Sequence, residues 1–100
     1  MPAILIKAEV DADRHYELLQ VLKGGTLVGQ LPAGCLDRRL YQEVHAPLHL
    51  LMIEHWSDEA AMDEYKSSTG FRALIGAIKV LGTLEELLTV KEETIKVQRQ

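Results

Sequence analysis

Glu54–Phe71, EHWSDEAAMDEYKSSTGF, is the stretch whose reading decides the fold. It begins at the end of an apolar run, Leu48–Trp56, passes a Ser57-Asp58 helix-start signal and continues to a break at Ser67-Ser68-Thr69-Gly70. In a strand, alternate side chains point to opposite faces. Leu50, Met52, Glu54 and Trp56 therefore share one side of the run, and His49, Leu51, Ile53 and His55 share the other. Both sides are mainly apolar, so both need cover. In a 100-residue chain helices cover one face, and a second subunit is the expected cover for the other. The reading is a homodimer.

After Ser57 or Asp58 caps the helix and Glu59 favours its positive end, Ala61, Met62 and Tyr65 form an apolar stripe. Beyond the break, Phe71, Leu74, Ile75, Ile78 and Leu81 continue it at spacings of three and four, ending at Gly82-Thr83. Leu84–Val97 closes the chain as a strand region carrying Leu88, Val90, Ile95 and Val97, with Lys and Glu residues suited to an edge or to pairing across subunits. Upstream, His45-Ala46-Pro47 is a tight turn joining Leu48–Trp56 to a second strand, Cys35–Val44. There Leu36, Leu40 and Val44 share one face while Arg39, Tyr41 and Glu43 point the other way. Ala3–Val10 is a first strand, followed by a helix start at Asp11-Ala12-Asp13 and a helical stripe of Tyr16, Leu18, Leu19, Val21 and Leu22. Gly24-Gly25 weakens that helix by roughly 1 kcal/mol per glycine. Leu27, Val28 and Leu31 resume the spacing, as one weakened or kinked helix or as two shorter pieces, before Pro32-Ala33-Gly34 stops it.

The order β-α-β-β-α-β predicts an α+β fold of the ferredoxin-like, split βαβ type: a four-stranded antiparallel sheet with its helices on one face. Residues 1–100 read as a single domain. The formal charge of −4, with no gathering of Lys and Arg beyond Arg38-Arg39, points away from nucleic acid. No apolar run reaches the ~18 residues of a membrane span. The start, MPAILIKAEV, has no basic stretch before its apolar residues and reads as a strand, which makes the cytoplasm the expected location. The single cysteine, Cys35, leaves no internal disulfide to form.

Two groups of residues resemble a known family. A Pro-x-Gly-Cys-Leu turn (Pro32, Gly34, Cys35, Leu36) is followed by Glu-x-Trp-x-Asp-x-x-Ala (Glu54, Trp56, Asp58, Ala61), then Ser68 and Phe71. Together with the element order, these resemble the antibiotic-biosynthesis-type monooxygenases, small dimeric α/β barrel proteins. The resemblance implies cofactor-independent oxygenation of a small phenolic, anthrone or quinol-type compound in a pocket between sheet and helices. The family commonly has histidine nine residues after the tryptophan, where this chain has Tyr65, and its Pro-Gly-Cys turn lacks the Ala33 inserted here. Haem-degrading members of the fold use a histidine at the place of Ile75 and an asparagine in the first strand, which AILIKAEV does not contain; haem chemistry is disfavoured.

Such oxygenation needs a group that helps remove a phenolic proton, through a side chain whose pKa burial has tuned. Glu54, Tyr65 and His55 are the candidate catalytic residues, and Trp56, Phe71 and Tyr41 the candidate substrate-binding ones. Glu54, in an apolar strand, either acts on a substrate, pairs with Arg38 or Arg39, or anchors a helix terminus. Trp56 either stacks on an aromatic ligand or fills core, and Tyr65 either meets a substrate oxygen or is structural. His55 has the better resting pKa for a base but lies on the face opposite Glu54. His49 and His55 are about 20 Å apart along the strand and cannot chelate one ion. No metal, nucleotide or other cofactor is assigned. Cys35 reads as a small buried hydrophobe. The same pocket also suits a non-catalytic small-molecule binder or stress-related protein, or an isomerase or cyclase of polyketide-like molecules.

Overall fold

The computed structural model describes residues 1–24 and 31–91. Among these residues four strands form one sheet: β1 (Ala3–Val10), β2 (Cys35–Gln42), β3 (His49–Trp56) and β4 (Gly82–Val90). The helices are α1 (His15–Gly24), preceded by a short 3₁₀ turn over Ala12–Arg14, α2 (Glu59–Lys66) and α3 (Thr69–Leu81). The strand order is β2-β3-β1-β4 and every neighbouring pair is antiparallel. β1 and β2 run parallel with β3 inserted between them, which is the split βαβ arrangement expected from the element order. Leu27, Val28, Ile95 and Val97, read above as helix and strand residues, lie outside the described residues.

The period-two alternation places the core. Ile4, Ile6, Ala8 and Val10 of β1 and Leu50, Met52 and Trp56 of β3 are buried on one face. Leu18 and Leu22 of α1, Met62 of α2, and Phe71, Ile78 and Leu81 of α3 pack onto it. The opposite face carries Leu5, Leu51 and Ile53, half-buried, with Tyr41 and Leu88 exposed. The two-sided apolar reading of β3 is thus seen directly, with one side under helices and the other without cover among the described residues.

Two irregularities depart from simple alternation. In β2 the pairing shifts between Cys35, opposite Trp56, and Asp37, opposite His55. Leu36 is the extra residue of this bulge and is 52% exposed, although the alternation predicted it on the face of Leu40. Val44, expected on that face too, lies beyond β2 in the hairpin turn and is exposed. In the β1–β4 ladder the register shifts at Lys7/Ala8, making Glu85 an extra residue of β4. The last strand also starts earlier than predicted, at Gly82 directly after α3. A side chain at Gly82 would meet the Glu9 carbonyl at 2.2 Å, so this close chain crossing admits only glycine.

Candidate functional site

The break in the decisive stretch is made by two caps. Asp58 is extended and its carboxylate accepts the Ala61 N–H at 2.8 Å, starting α2. Ser68 accepts the Phe71 N–H at 3.1 Å and starts α3. One continuous apolar periodicity is therefore folded into two helices. The corner brings Tyr65, near the end of α2, against Phe71, in the first turn of α3, with centroids 5.3 Å apart edge-to-face. On its other side Tyr65 lies 4.8 Å from Trp56. The two rings hold the phenol in place.

The turn before β2 supports the same corner. Cys35 donates its N–H to the Pro32 carbonyl at 2.9 Å, and Gly34 sits at φ +86°. Its carbonyl accepts the Ser57 N–H at 2.8 Å, and a Cβ there would lie 2.5 Å from that of Ala61. Both the dihedral and the space require glycine. Residue 33 provides the first of the two central turn positions.

Arg38 and Glu54 are register partners across β2 and β3, on the helix-covered face. Glu54 is fully buried, and the Arg38 side chain is 11% exposed. Arg38 Nε and Nη2 both donate to Glu54 Oε2, at 2.7 and 2.5 Å. Nη2 also donates to the Tyr65 hydroxyl at 3.2 Å. Among the described residues Arg38 Nη1 has no protein partner, and the buried Glu54 Oε1 and Trp56 Nε1 have none either. Burial pushes the Glu54 carboxyl up, against the pull of the Arg38 guanidinium. Burial, then the charge of Glu54, pushes the Tyr65 phenol up to about 12. Tyr65 stays protonated at neutral pH. One of its lone pairs is taken by Arg38, so its own O–H remains free to donate.

Arg38 and Tyr65 are the polar corner of a cavity of about 530 Å³. α1 lines it with Val21 and Leu22, α3 with Gly70, Ala73, Leu74 and Ala77, and Pro32 closes one side. The small residues Gly70, Ala73 and Ala77 recur on one face of α3, leaving room between α3 and α1 for a molecule of two or three fused rings. Of the residues expected to line a pocket between sheet and helices, Tyr65 reaches this cavity. Trp56 and Phe71 form the wall behind Tyr65, and Glu54 lies behind Arg38.

The remaining candidates sit on the open face of the sheet. His55 Nδ1 is 2.8 Å from Asp37 Oδ1, and Tyr41 is 45% exposed there. At the far end of that face, His49 Nε2 is 3.1 Å from Glu9 Oε2 and His49 Nδ1 is 2.9 Å from Glu85 Oε1. A ring with a carboxylate at each nitrogen has the partners of a protonated imidazole. The Glu85 hydrogen bond, foremost, raises the His49 pKa. Glu9, His49 and Glu85 are also the group among the described residues whose ligand atoms approach closely enough to hold a metal ion, within 4.8 Å of one another. Spacing along the chain conceals this group, because its members come from three strands and the β4 bulge supplies Glu85. The role of Arg38 was more legible. It stands two residues before Leu40 and so shares the core phase, whereas Arg39 does not.

A ferredoxin-like sheet with an apolar cavity beneath its helices, polar at one corner, defines a class of small α+β proteins. Residues 1–77 match the sequence profile of the family described as antibiotic biosynthesis monooxygenase, and the chain belongs to that family. Solved structures share the fold. A conserved protein from Methanosarcina mazei Go1 is 24% identical, with 92% of each chain covered and a TM-score of 0.78. A protein from Deinococcus radiodurans, described provisionally as an antibiotic biosynthesis monooxygenase, is 24% identical over 99% of this chain and 100% of its own, with a TM-score of 0.77. A protein from Mycobacterium tuberculosis is 16% identical over 97% and 98%, with a TM-score of 0.75. No curated protein matches the chain. No helix among the described residues is long and apolar enough to cross a membrane.

Proposed function

We propose that this protein is a cofactor-independent monooxygenase of a small phenolic, anthrone or quinol-type compound. One observation carries the reading: a cavity whose lining, among the described residues, is apolar except where the Tyr65 hydroxyl and the Arg38 guanidinium meet. A flat aromatic body fits the apolar walls, and its hydroxyl or carbonyl oxygen meets the polar corner. For an anthrone-type substrate, loss of the proton from the methylene carbon gives an enolate. That carbon forms a bond to dioxygen, and after protonation the hydroperoxide loses water to leave a carbonyl. Dioxygen is the oxidant, with one of its atoms entering the product and the other leaving as water. The protein's contribution is to favour the anion and to exclude bulk water from it.

The working unit in this reading is a homodimer in the cytoplasm, formed through the open sheet face. Leu5, Leu51, Ile53 and Leu88 support it, since together they place an apolar centre on a face that no helix covers among the described residues. Oxygen uptake dependent on both protein and an anthrone or naphthoquinol, with loss of most of the rate in Tyr65→Phe, tests the activity. Uptake no faster than the uncatalysed rate across that panel would remove it. A second reading, non-catalytic binding in the same cavity, has its own support. No carboxylate or imidazole lines the cavity among the described residues, and the Tyr65 phenol, pushed up to about 12, stays protonated at neutral pH. Saturable binding in air without product would select it.

A further inference from the structure

We infer that Arg38 and Tyr65 form an oxyanion site, and that the cavity takes its ligand as a phenolate or enolate. The inference rests on the reading of this cavity as the ligand site and names the ionic form that it selects. The first argument is hydrogen-bond inventory. A guanidinium has five N–H donors. Nε and Nη2 are committed to Glu54 and Tyr65, which leaves Nη1 without a protein partner among the described residues. The Tyr65 oxygen already accepts from Nη2, so its proton is directed elsewhere. Arg38 and Tyr65 therefore both present donors at a polar corner of a cavity whose other described lining is apolar, and neither offers it an acceptor of comparable strength.

The second argument is the direction of the ion pair. Glu54 is wholly buried behind Arg38, which is itself at the cavity wall. The pair is neutral overall, but its positive end faces the cavity. An oxygen bearing negative charge there gains two donors and a favourable field in a medium that screens poorly. A neutral phenol placed there can accept as well, but its own O–H finds no acceptor among apolar neighbours, which costs it a hydrogen bond it had in water. Ionisation removes that cost, and the proton leaves to solvent. Glu54 in this arrangement is a positioning residue: it holds the guanidinium with Nη2 on Tyr65 and does not itself touch the ligand.

The test is an anaerobic titration with 7-hydroxycoumarin, a two-ring phenol whose neutral and anionic forms have separate excitation bands. 7-Methoxycoumarin, which cannot ionise, is the control. The wild-type protein is expected to lower the apparent pKa of the bound phenol by about one unit or more, a tenfold change or greater in its ionisation constant. Tyr65→Phe should reduce that shift. Arg38→Leu alone would strand Glu54, so the paired Arg38→Leu/Glu54→Leu protein is used. It should abolish the shift, with saturable binding of 7-methoxycoumarin showing that the cavity is still formed. A bound phenol with an unmoved or raised pKa, a shift that survives the paired change, or absence of saturable phenol binding would each overturn the assignment. The readout is independent of turnover. A lowered pKa with no oxygen uptake from any substrate leaves the oxyanion site standing and removes the oxygenase. Oxygen uptake with an unmoved pKa does the reverse.

Discussion

Removing Glu54 or Arg38 singly should damage this protein far more than removing both. Glu54 is 0% exposed and its partner's side chain 11%, so either single change to leucine leaves a charged group in a place closed to water. Breaking a buried ion pair from one side costs about 3–5 kcal/mol, whereas replacing both partners with apolar groups is often near neutral. Arg38 borders the cavity and can regain some water there, which sets Glu54→Leu at the lower end, about 3 kcal/mol. Arg38→Leu is the harsher change because Glu54 has no such outlet. For a domain of this size 1 kcal/mol moves Tm by about 4–8 °C, so about 3 kcal/mol means roughly 12–24 °C. The single Arg38→Leu change should also become pH-dependent. With the guanidinium gone, burial alone raises the Glu54 pKa above its unfolded value, so the loss is smallest at low pH and grows as pH rises toward neutrality. Urea unfolding followed by circular dichroism, at one fixed protein concentration, supplies the four corners of the cycle. If each single change costs under about 1 kcal/mol and the double equals their sum, Arg38 and Glu54 are not a coupled buried pair and the account of the site's geometry fails.

Further expectations are simpler. Gly34→Ala must adopt φ +86° and press a methyl group to 2.5 Å from the Ala61 Cβ; a loss of about 2 kcal/mol or more is expected in the same urea assay, and a neutral result would refute the packing of this turn against α2. Cys35, raised from 9.0 to about 11 chiefly by burial, should be alkylated at pH 8 about 100-fold more slowly than the same thiol in urea, as followed by mass spectrometry. Ala73→Leu should fill the cavity from α3, with coumarin affinity falling at least about tenfold while Tm changes by only a few degrees; unchanged affinity would move the ligand elsewhere. The His49 pKa is raised above 6.5, so its contribution to stability is full below pH 6.5 and is lost as pH rises through the folded value. The Tm difference between wild type and His49→Gln should shrink accordingly, and a pH-independent difference would dissociate His49 from Glu9 and Glu85.

Much of the fold was legible because its rules are local. The strand period of two assigned Glu54 and Trp56 to one face of β3 and His49 and His55 to the other, and the sheet keeps that division. Ser57-Asp58 read as a cap and Ser67-Ser68-Thr69-Gly70 as a break, so the interruption between α2 and α3 was legible in the sequence. Family membership was legible as well, since turn, strand end and helix start each retain a few family residues. Less was visible of the candidate site. Glu54 stood out as an acid in an apolar strand, with Arg38 and Arg39 both open as partners although only Arg38 is in phase with Leu40. Trp56, Tyr65 and Phe71 stood out as aromatics, with nothing to say which of them meets open space.

The sequence by itself determined the order of elements, the faces of β3 and the positions of the helix breaks, because each depends on neighbours within a few residues. Tertiary structure decided the rest. Bulges at Leu36 and Glu85 depend on how two strands register, and they moved one apolar residue outward and brought one carboxylate to His49. The choice of Arg38 as the partner of Glu54 depends on which face of β2 the helices cover. The cavity depends on small side chains of α3 meeting α1 across the molecule, with Tyr65 projecting into the space and Trp56 supporting it from behind. Empty volume is a property of the packing between distant segments, so no single stretch of the chain contains it.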